Sequence, residues 1–538
     1  MKKILFTFPP FKDFHRVEHL GEYGFNLGAY SIVGFLNSHG IQADLFSLES
    51  DIDISYSDVR KRIAAEDYDY ISICLGKEEF TESVMEYAKQ LKKDFPQKCI
   101  ITGSVFATYA YEDILKHIPW IDAVIIGEGE LPILSLLTSS CISLVSGIAY
   151  RKDGNIVKNN PIDRICDLDS LIFPFHEFMM RNHQIEEVPI TKSRGCYGNC
   201  TFCTMPEYYM QRSMYIKTAR KVAEEIALVV NTYNKHKFRF FDFLTFDSSN
   251  DSIKWINDFK EELSRLNLSI RFSLLLRVND CVEELLLPLI ECGLEQVNLG
   301  IENFNNSVLQ RLNKGINRSQ IINALRLIHQ NRVQVKSYII NFEPKLTLSE
   351  LKHNMRFMKL FRLNDIDCLF NYAKPLYGSR FRNELIESKQ LKINNWYESG
   401  LYEFEDKRVD LVFNMIVNNN KKIIKNMEHE LIQKRMRYRP QIIKFLELSY
   451  EKRREMYSIV KTLFFCDRNI RISFNDGLTE IIDATINWIE VKEVLDESEQ
   501  RYLNLLINNR LNEFSHKMQN IYRQIECALM CIQDKIME

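Results

Sequence analysis

The sequence of 538 residues contains no uninterrupted run of about 18 apolar residues, so no transmembrane helix is predicted. Neither sign of charge is in excess, because 70 Lys and Arg nearly balance 72 Asp and Glu and leave a formal net charge of -2. Without a basic field a protein does not coat nucleic acid, so nucleic acid is not expected as a partner. The apolar stretch after Met1 is too short for a secretory signal, and we therefore expect a cytoplasmic protein without a membrane partner.

Cysteine is also scarce: the 13 cysteines of the chain are too few for a disulfide scaffold. In a reducing cytoplasm, clustered cysteines indicate a metal site or catalysis. Cys196, Cys200 and Cys203 do cluster, within the segment SRGCYGNCTFC. Thiolates at this spacing suit zinc or an iron–sulfur cluster. Structural zinc normally takes four protein ligands. The nearest further candidates, Cys166 and His183, lack a paired spacing. Three cysteines alone favour an iron–sulfur cluster with one open iron.

The first part of the chain alternates short apolar runs with amphipathic stretches, which is typical of a doubly wound parallel sheet. Ligands of such sheets sit at the carboxyl ends of the strands. The pattern predicts strands over 3–8, 41–48, 70–75, 99–103 and 123–126, and helices over 27–40, 58–66, 81–95 and 111–118.

This alternating first part is expected to form an α/β, Rossmann-like domain over 1–140. The remainder of the chain divides into three further parts. The first of them is a connector over 141–187 with a hairpin turn at Lys152–Asn155. A second α/β domain is predicted over 188–385. The last part, 386–538, has few Gly or Pro residues and is predicted to be a helical domain.

Strand ends with polar residues follow the cysteines, in the segments FDSSND from Phe246, LLLRVN from Leu274 and QVNLGIEN from Gln296. Together with the cysteine spacing, these segments resemble the radical S-adenosylmethionine (SAM) enzymes. In that family the three cysteines hold a 4Fe–4S cluster whose open iron binds SAM. An electron, from a donor such as flavodoxin or ferredoxin, cleaves SAM into methionine and a 5′-deoxyadenosyl radical. The resemblance implies a partial TIM-type (β/α)6 barrel over 188–385.

The resemblance also implies SAM-binding residues. It assigns SAM contact to Asp247, Asn250, Arg277 and Glu302, which end or follow predicted strands. The alternative is that these polar residues have a structural role, as helix caps and loop groups, and do not contact SAM.

The first 140 residues resemble the cobalamin-binding, Rossmann-like domain that is often fused to radical SAM barrels. The opening strand with its Pro-Pro loop and the segment IGEGE from Ile126 carry this resemblance. A lower axial histidine would come from His15 or His19, although the segment DFHRVE ends in Glu where the methionine-synthase type has Gly. The residues implied to contact cobalamin are Pro10, Gly103, Ser104, Gly127, Glu128 and Gly129.

The leading interpretation is a cobalamin-dependent radical SAM enzyme that methylates an unactivated carbon, or phosphorus, of a natural product or peptide. An alternative keeps the barrel and the cluster but has a cobalamin domain without function, and catalyses rearrangement, epimerisation or oxidation. A third hypothesis is a non-enzymatic binding protein stabilised by a metal. The sequence names no catalytic residue beyond the cofactor contacts.

Overall fold

A computed structural model describes residues 2–9, 27–46, 55–174, 176, 187–209, 214–420, 423–431, 457–490 and 496–537. The chain forms two compact units. The first comprises Met1–Ile301, Leu309–Lys336 and Lys374–Tyr402, and the second comprises Glu302–Val308, Ser337–Ala373 and Glu403–Glu538. No helix in the described part of the chain combines the length and the apolar character that crossing a bilayer requires.

The N-terminal part of the first unit is a seven-stranded sheet with the order β2-β1-β3-β4-β5-β6-β7. The first five strands are parallel, and residues such as Ile4, Ile71 and Ile101 are fully buried, as expected for strands covered on both faces. The strands are β1 (Ile4–Thr7), β2 (Ala43–Phe46), β3 (Tyr70–Cys74), β4 (Cys99–Gly103), β5 (Ala123–Ile125), β6 (Ile148–Lys152) and β7 (Asn155–Lys158). The helices are α1 (Leu27–Ser38), α2 (Tyr56–Ala65), α3 (Thr81–Asp94), α4 (Val105–Tyr109), α5 (Tyr111–His117) and α6 (Glu130–Thr138).

The hairpin turn predicted at Lys152–Asn155 is confirmed, since β6 and β7 pair antiparallel around it. The hairpin was expected to lie in a connector between the two α/β domains. Instead, β6 also pairs antiparallel with β5, so the hairpin extends the N-terminal sheet. The otherwise parallel sheet is therefore mixed.

The second sheet of the chain has the order β14-β13-β12-β11-β8, and β8, β11, β12 and β13 pair in parallel. Helices follow the strands, as a barrel of βα units requires. The strands of this sheet are β8 (Val188–Ile190), β11 (Lys237–Phe240), β12 (Arg271–Arg277), β13 (Leu294–Glu302) and β14 (Gln334–Ile339). Two separate antiparallel pairs are formed by β9 (Ser193–Gly195) with β10 (Met214–Ile216) and by β15 (Leu391–Lys392) with β16 (Leu401–Tyr402). The helices are α7 (Met205–Tyr208), α8 (Ala219–Tyr233), α9 (Asn250–Arg265), α10 (Glu283–Glu291), α11 (Asn306–Arg311), α12 (Arg318–Gln330), α13 (Leu348–Leu360), α14 (Ile366–Phe370) and α15 (Arg380–Glu387).

The second unit is mainly helical, as predicted for the C-terminal part. It contains α16 (Lys407–Phe413) and two long helices, α17 (Tyr457–Glu490) and α18 (Glu497–Met537). Leu503, Ile507 and Leu511 recur every four residues on α18 and are buried, so they form the apolar stripe of that helix. The rings of Phe474 and Phe514, 5.6 Å apart, join α17 to α18.

Candidate active site

The three clustered cysteines lie on the loop between β9 and α7, and each sulfur accepts one hydrogen bond. The N–H of Gly198 donates to Cys196 Sγ at 3.3 Å, and the N–H of Met205 donates to Cys203 Sγ at 3.4 Å. Nη1 of Arg277 donates to Cys200 Sγ at 3.5 Å. A loop that offers one donor to each sulfur is suited to hold thiolates.

Backbone hydrogen bonds from two later segments hold the cysteine loop in place. The N–H of Thr201 donates to Leu312 O, and Thr201 O accepts the N–H of Phe381, both at 3.0 Å. The carbonyl of Asn199 accepts Nδ2 of Asn313 at 2.7 Å. The segment LQRLNKG, residues 309–315, therefore supports the cysteine loop.

Arg277 lies at the end of β12 against this loop, and each of its three guanidinium nitrogens donates a hydrogen bond. Besides Cys200, it donates to the carbonyl of Lys314 and to Asn279 Oδ1, the latter at 3.4 Å. It also lies 5.4 Å from the centre of the Tyr197 ring. The structure therefore brings this predicted SAM residue together with the cysteines.

Two of the three thiols, Cys196 and Cys203, are buried enough to resist ionisation. Burial raises the pKa of Cys196, and it raises the pKa of Cys203 to about 12. All three cysteines are free of disulfides. The thiols of Cys196 and Cys203 therefore favour the protonated form until a metal displaces the proton, and iron does so because it favours sulfur ligands. Among the described residues, no group of three His, Cys, Asp or Glu side chains is arranged to hold one metal ion.

Asp247 and Asn250 lie where α9 begins. Oδ1 of Asp247 accepts hydrogen bonds from the hydroxyls of Ser249 at 2.6 Å and Ser252 at 2.5 Å. Burial opposes ionisation of Asp247, but these hydrogen bonds outweigh it and lower its pKa. Asn250 is the first residue of α9 and is exposed. This geometry is that of a helix start, and SAM contact by either residue stays a prediction.

Glu302 is the last residue of β13 and is buried. Its φ of 63° lies in the left-handed region, which non-glycine residues seldom adopt. Such strained conformations concentrate at functional sites. Its contact with SAM also stays a prediction.

The loops at the carboxyl ends of the N-terminal strands line a cavity of about 810 Å³. This volume lies in the upper part of the range of about 300–1,000 Å³ for ligand pockets. Residues of β9 and α7 and of the loop after β11 line the same cavity, among them Ser193, Arg194, Tyr208 and Asp242. Gly103, Ser104, Gly127, Glu128 and Gly129, all predicted from the sequence, line it as well.

The rim of this cavity has the backbone conformations that close approach requires. Gly127 has a φ of +81°, and a Cβ at Gly129 would lie 2.6 Å from Cδ1 of Ile32. Ser104 stands where a second glycine is usual, and it adopts a φ of 103°, a value suited to glycine. Pro10, His15 and His19 lie outside the described residues.

A charged cluster joins the rim to the cysteine-bearing segment. Arg194, two residues before Cys196, pairs with Glu128 at 3.2 Å and with Glu130 at 2.5 Å. Burial lowers the pKa of Arg194, but the two carboxylates outweigh burial and raise it. Glu128, predicted to contact cobalamin, is therefore already engaged by an arginine.

Two family models match the chain, the Radical SAM superfamily over 190–358 and the B12 binding domain over 16–137. The chain is a radical SAM enzyme with an N-terminal B12-binding domain. These domains imply a 4Fe–4S cluster, SAM and cobalamin as cofactors. Enzymes of this class act typically on small molecules and take electrons from a donor. The hypothesis of a non-enzymatic binding protein is therefore wrong.

Curated relatives of this radical SAM enzyme are distant. An uncharacterized methyltransferase of Pyrococcus horikoshii is 26% identical over 356 residues, covering 64% of this chain and 75% of the relative. An anaerobic magnesium-protoporphyrin IX monomethyl ester cyclase of Rubrivivax gelatinosus is 27% identical over 333 residues, covering 57% of each chain.

The fold is similar to that of a solved structure of the same class. The cobalamin-dependent SAM radical enzyme OxsB, with aqua-cobalamin and SAM bound, matches with a TM-score of 0.71 and 15% identity. The match covers 99% of this chain and 84% of OxsB. At this identity the likeness concerns the fold alone, and it confirms the predicted combination of a Rossmann-like domain, a barrel and a helical C-terminal part.

The residues of the two domains fit the implied cofactors. Cys196, Cys200 and Cys203 would hold the cluster, since they are free thiols with one hydrogen-bond donor each. The glycine-bearing rim would hold cobalamin, because Gly127 lines the cavity with no protein atom within 4 Å of the position of a Cβ, which leaves its backbone open to a ligand. Thr204 and Met205, directly after the last cysteine, also line the cavity.

Sequence reasoning missed several buried polar residues around the site. Glu225 is fully buried on α8 and accepts hydrogen bonds from His176 and Lys217, each at 3.0 Å. Its place between Val222 and Ile226 on the apolar face of α8 was a usable signal. Asp242 is also buried, but nothing in the sequence around it marks its role.

Proposed function

We propose that this radical SAM enzyme transfers a methyl group to an unactivated carbon, or phosphorus, of a small natural product or a peptide. One observation carries the proposal. The cavity lined by the B12-binding rim also reaches Thr204 and Met205 beside the cysteine loop, within one compact unit. A ligand on the rim and a ligand at the cysteine loop would thus share one enclosed space.

When bound, the cluster and SAM supply a radical for activating the substrate, and cobalamin supplies the methyl group. The chain supplies the rest. The cysteine loop holds three sulfurs on fixed hydrogen-bond donors, and Arg277 places positive charge beside Cys200. Phe241, Phe243 and Ile172 line the cavity with exposed apolar side chains, which offer a surface for an apolar ligand.

The proposal includes a reducing, cytoplasmic setting and a flavodoxin or ferredoxin as electron donor. An oxygen-sensitive cluster is suited to that compartment. The chain also has exposed free cysteines elsewhere, such as Cys141 and Cys166, which fit a reducing setting.

A second candidate function is an oxidation or rearrangement that uses the cluster and SAM without methyl transfer. The similarity to a cyclase favours it, because the name of that relative describes ring formation rather than methylation.

One experiment separates the two candidates. The protein is reconstituted anaerobically, titrated with hydroxocobalamin, desalted and assayed for cobalt, and SAM products are then quantified with a chemical reductant. Retention near one cobalt per chain, together with S-adenosylhomocysteine that forms only in the presence of cobalamin, is the expected result. 5′-Deoxyadenosine without cobalt retention would contradict methyl transfer and favour the second candidate.

Cysteine variants test the cluster in the same assay. Cys200→Ala should lose iron and all cleavage of SAM while the protein keeps its secondary structure, because the barrel does not depend on the metal as a zinc finger does. Cys166→Ala is the matched control, since Cys166 is exposed and outside the loop. Zinc at one equivalent without iron–sulfur absorbance would contradict the cluster assignment.

A further inference from the structure

Asp242 follows β11 closely and is anchored by one of its two carboxylate oxygens. Oδ1 accepts the N–H of Lys192 at 3.0 Å, the N–H of Ser193 at 2.5 Å and the hydroxyl of Ser193 at 2.9 Å. These three donors fix the orientation of the side chain. The residue is 6% exposed, so it is desolvated on nearly all sides.

The other oxygen, Oδ2, is buried and has no hydrogen-bond partner among the described residues. Buried polar atoms are nearly always paired, so an unpaired carboxylate oxygen requires an explanation. The two lysines that act on this carboxyl are engaged elsewhere. Lys192 donates to Thr245 O at 2.6 Å, and Lys217 pairs with Glu225 at 3.0 Å.

Asp242 lines the cavity that the cobalamin rim also lines. Its neighbours Phe241 and Phe243 line the cavity too, and both rings are substantially exposed. The wall at this point therefore offers two exposed aromatic rings, and Asp242, whose Oδ2 is buried and unpaired among the described residues, stands between them in the chain. That surface matches a ligand with an apolar, planar body and N–H donors at its edge.

Building on the proposed function, we propose that Asp242 binds cobalamin by accepting, through Oδ2, a hydrogen bond from a carboxamide N–H on the edge of the corrin ring. The barrel then contributes a specific polar contact to a cofactor whose predicted contacts all lie on the N-terminal domain. Corrin carboxamides are primary amides that can donate to a carboxylate without a proton transfer. The same oxygen would repel a carboxylate at that position, so the contact selects the amide form of the ring edge.

Asp242→Asn tests the contact with little disturbance of the fold. An asparagine keeps an oxygen for the three donors that bind Oδ1 and places an NH2 group where Oδ2 was, opposite another donor. Anaerobic titration with hydroxocobalamin and, separately, with cobinamide, followed by absorbance, should show an affinity loss of roughly 10- to 100-fold for both compounds. Iron content should stay at the wild-type value.

Asp169→Asn is the matched control, because Asp169 also accepts a backbone N–H, from Thr218 at 2.9 Å, but does not line the cavity. Equal affinity of Asp242→Asn and wild type for both compounds would overturn the inference. A loss for hydroxocobalamin alone would also overturn it, since the donor would then lie on the nucleotide tail. A wild type that retains no cobalamin would instead overturn the proposed function.

Discussion

Two residues that the sequence predicts to contact cofactors, Ser104 and Glu302, adopt left-handed backbone conformations without being glycine. Each such residue costs on the order of 1–3 kcal/mol, and the surrounding structure must hold it in place. Both were singled out from the sequence, Ser104 as a residue implied to contact cobalamin and Glu302 as one implied to contact SAM. The physical reason for their conformation became visible only in the fold.

For Glu302 the expected change concerns SAM. Glu302→Gln keeps the backbone geometry and removes the charge, so SAM affinity should fall roughly 10- to 100-fold, the value of one or two hydrogen bonds to a charged group. Equilibrium dialysis with anaerobic protein measures it, and the iron content serves as the check on folding. Unchanged affinity would mean that this carboxylate does not contact SAM.

Gly198 is a second residue whose replacement should be specific. A Cβ there would lie 2.5 Å from Nη1 of Arg277 and 3.2 Å from Sγ of Cys196. Because Arg277 is buried and held by Lys314, it cannot retreat, and Gly198→Ala should lower iron incorporation severalfold. Gly76→Ala has space for its methyl group, 3.4 Å from Ser104 Oγ, and should load iron normally. Equal iron in both variants would show that the loop adapts.

At the scale of elements, α8 depends on a buried ion cluster. Lys217 and His176 outweigh the burial of Glu225 and lower its pKa to about 2. A carboxylate with a lowered pKa stabilises the fold fully above its unfolded pKa of about 4.5, and the contribution is lost as the pH falls towards 2. Glu225→Gln should therefore destabilise the protein by about 3–5 kcal/mol at pH 7, since it leaves a buried lysine without its partner.

The measurement is urea denaturation followed by circular dichroism at pH 7 and pH 5. The loss in the free energy of unfolding should be the same at pH 7 and pH 5, because both pH values lie above the unfolded pKa of the Glu225 carboxyl. Glu224→Gln is the matched control, being the exposed neighbour on the same helix. Similar midpoints for the two variants would show that the cluster contributes little.

The strands and helices of the N-terminal sheet could be predicted because apolar runs such as Tyr70–Cys74 are short, buried in their central residues and separated by amphipathic helices. The antiparallel hairpin β6–β7 was recognised from its Asp-Gly turn, but its pairing with β5 was not, because pairing depends on contacts far apart in the sequence. Asp242 was missed for the same reason. Its role follows from a cavity that two distant segments form together.

At the scale of the whole chain, Arg194 connects the B12-binding domain to the radical SAM domain within the first unit. Arg194→Met fills the space but leaves Glu128 and Glu130 buried without a counter-charge, and such a change costs about 3–5 kcal/mol. Calorimetry should then show the N-terminal domain unfolding separately and at a lower temperature. Arg194→Lys should restore part of the loss, because it keeps the charge but cannot contact both carboxylates. One unchanged transition in both variants would contradict this coupling.

The position of Arg194, two residues before Cys196, also bears on how such chains are inherited. If recombination exchanged the first domain for another, the new domain would need two carboxylates in the places of Glu128 and Glu130. Without them, Arg194 would be buried next to the cysteine loop with no partner for its charge. The loop Gly127–Glu130 and the strand Ser193–Gly195 are thus expected to pass from ancestor to descendant as one block. Domain boundaries drawn along the sequence would not be the points at which this protein exchanges parts.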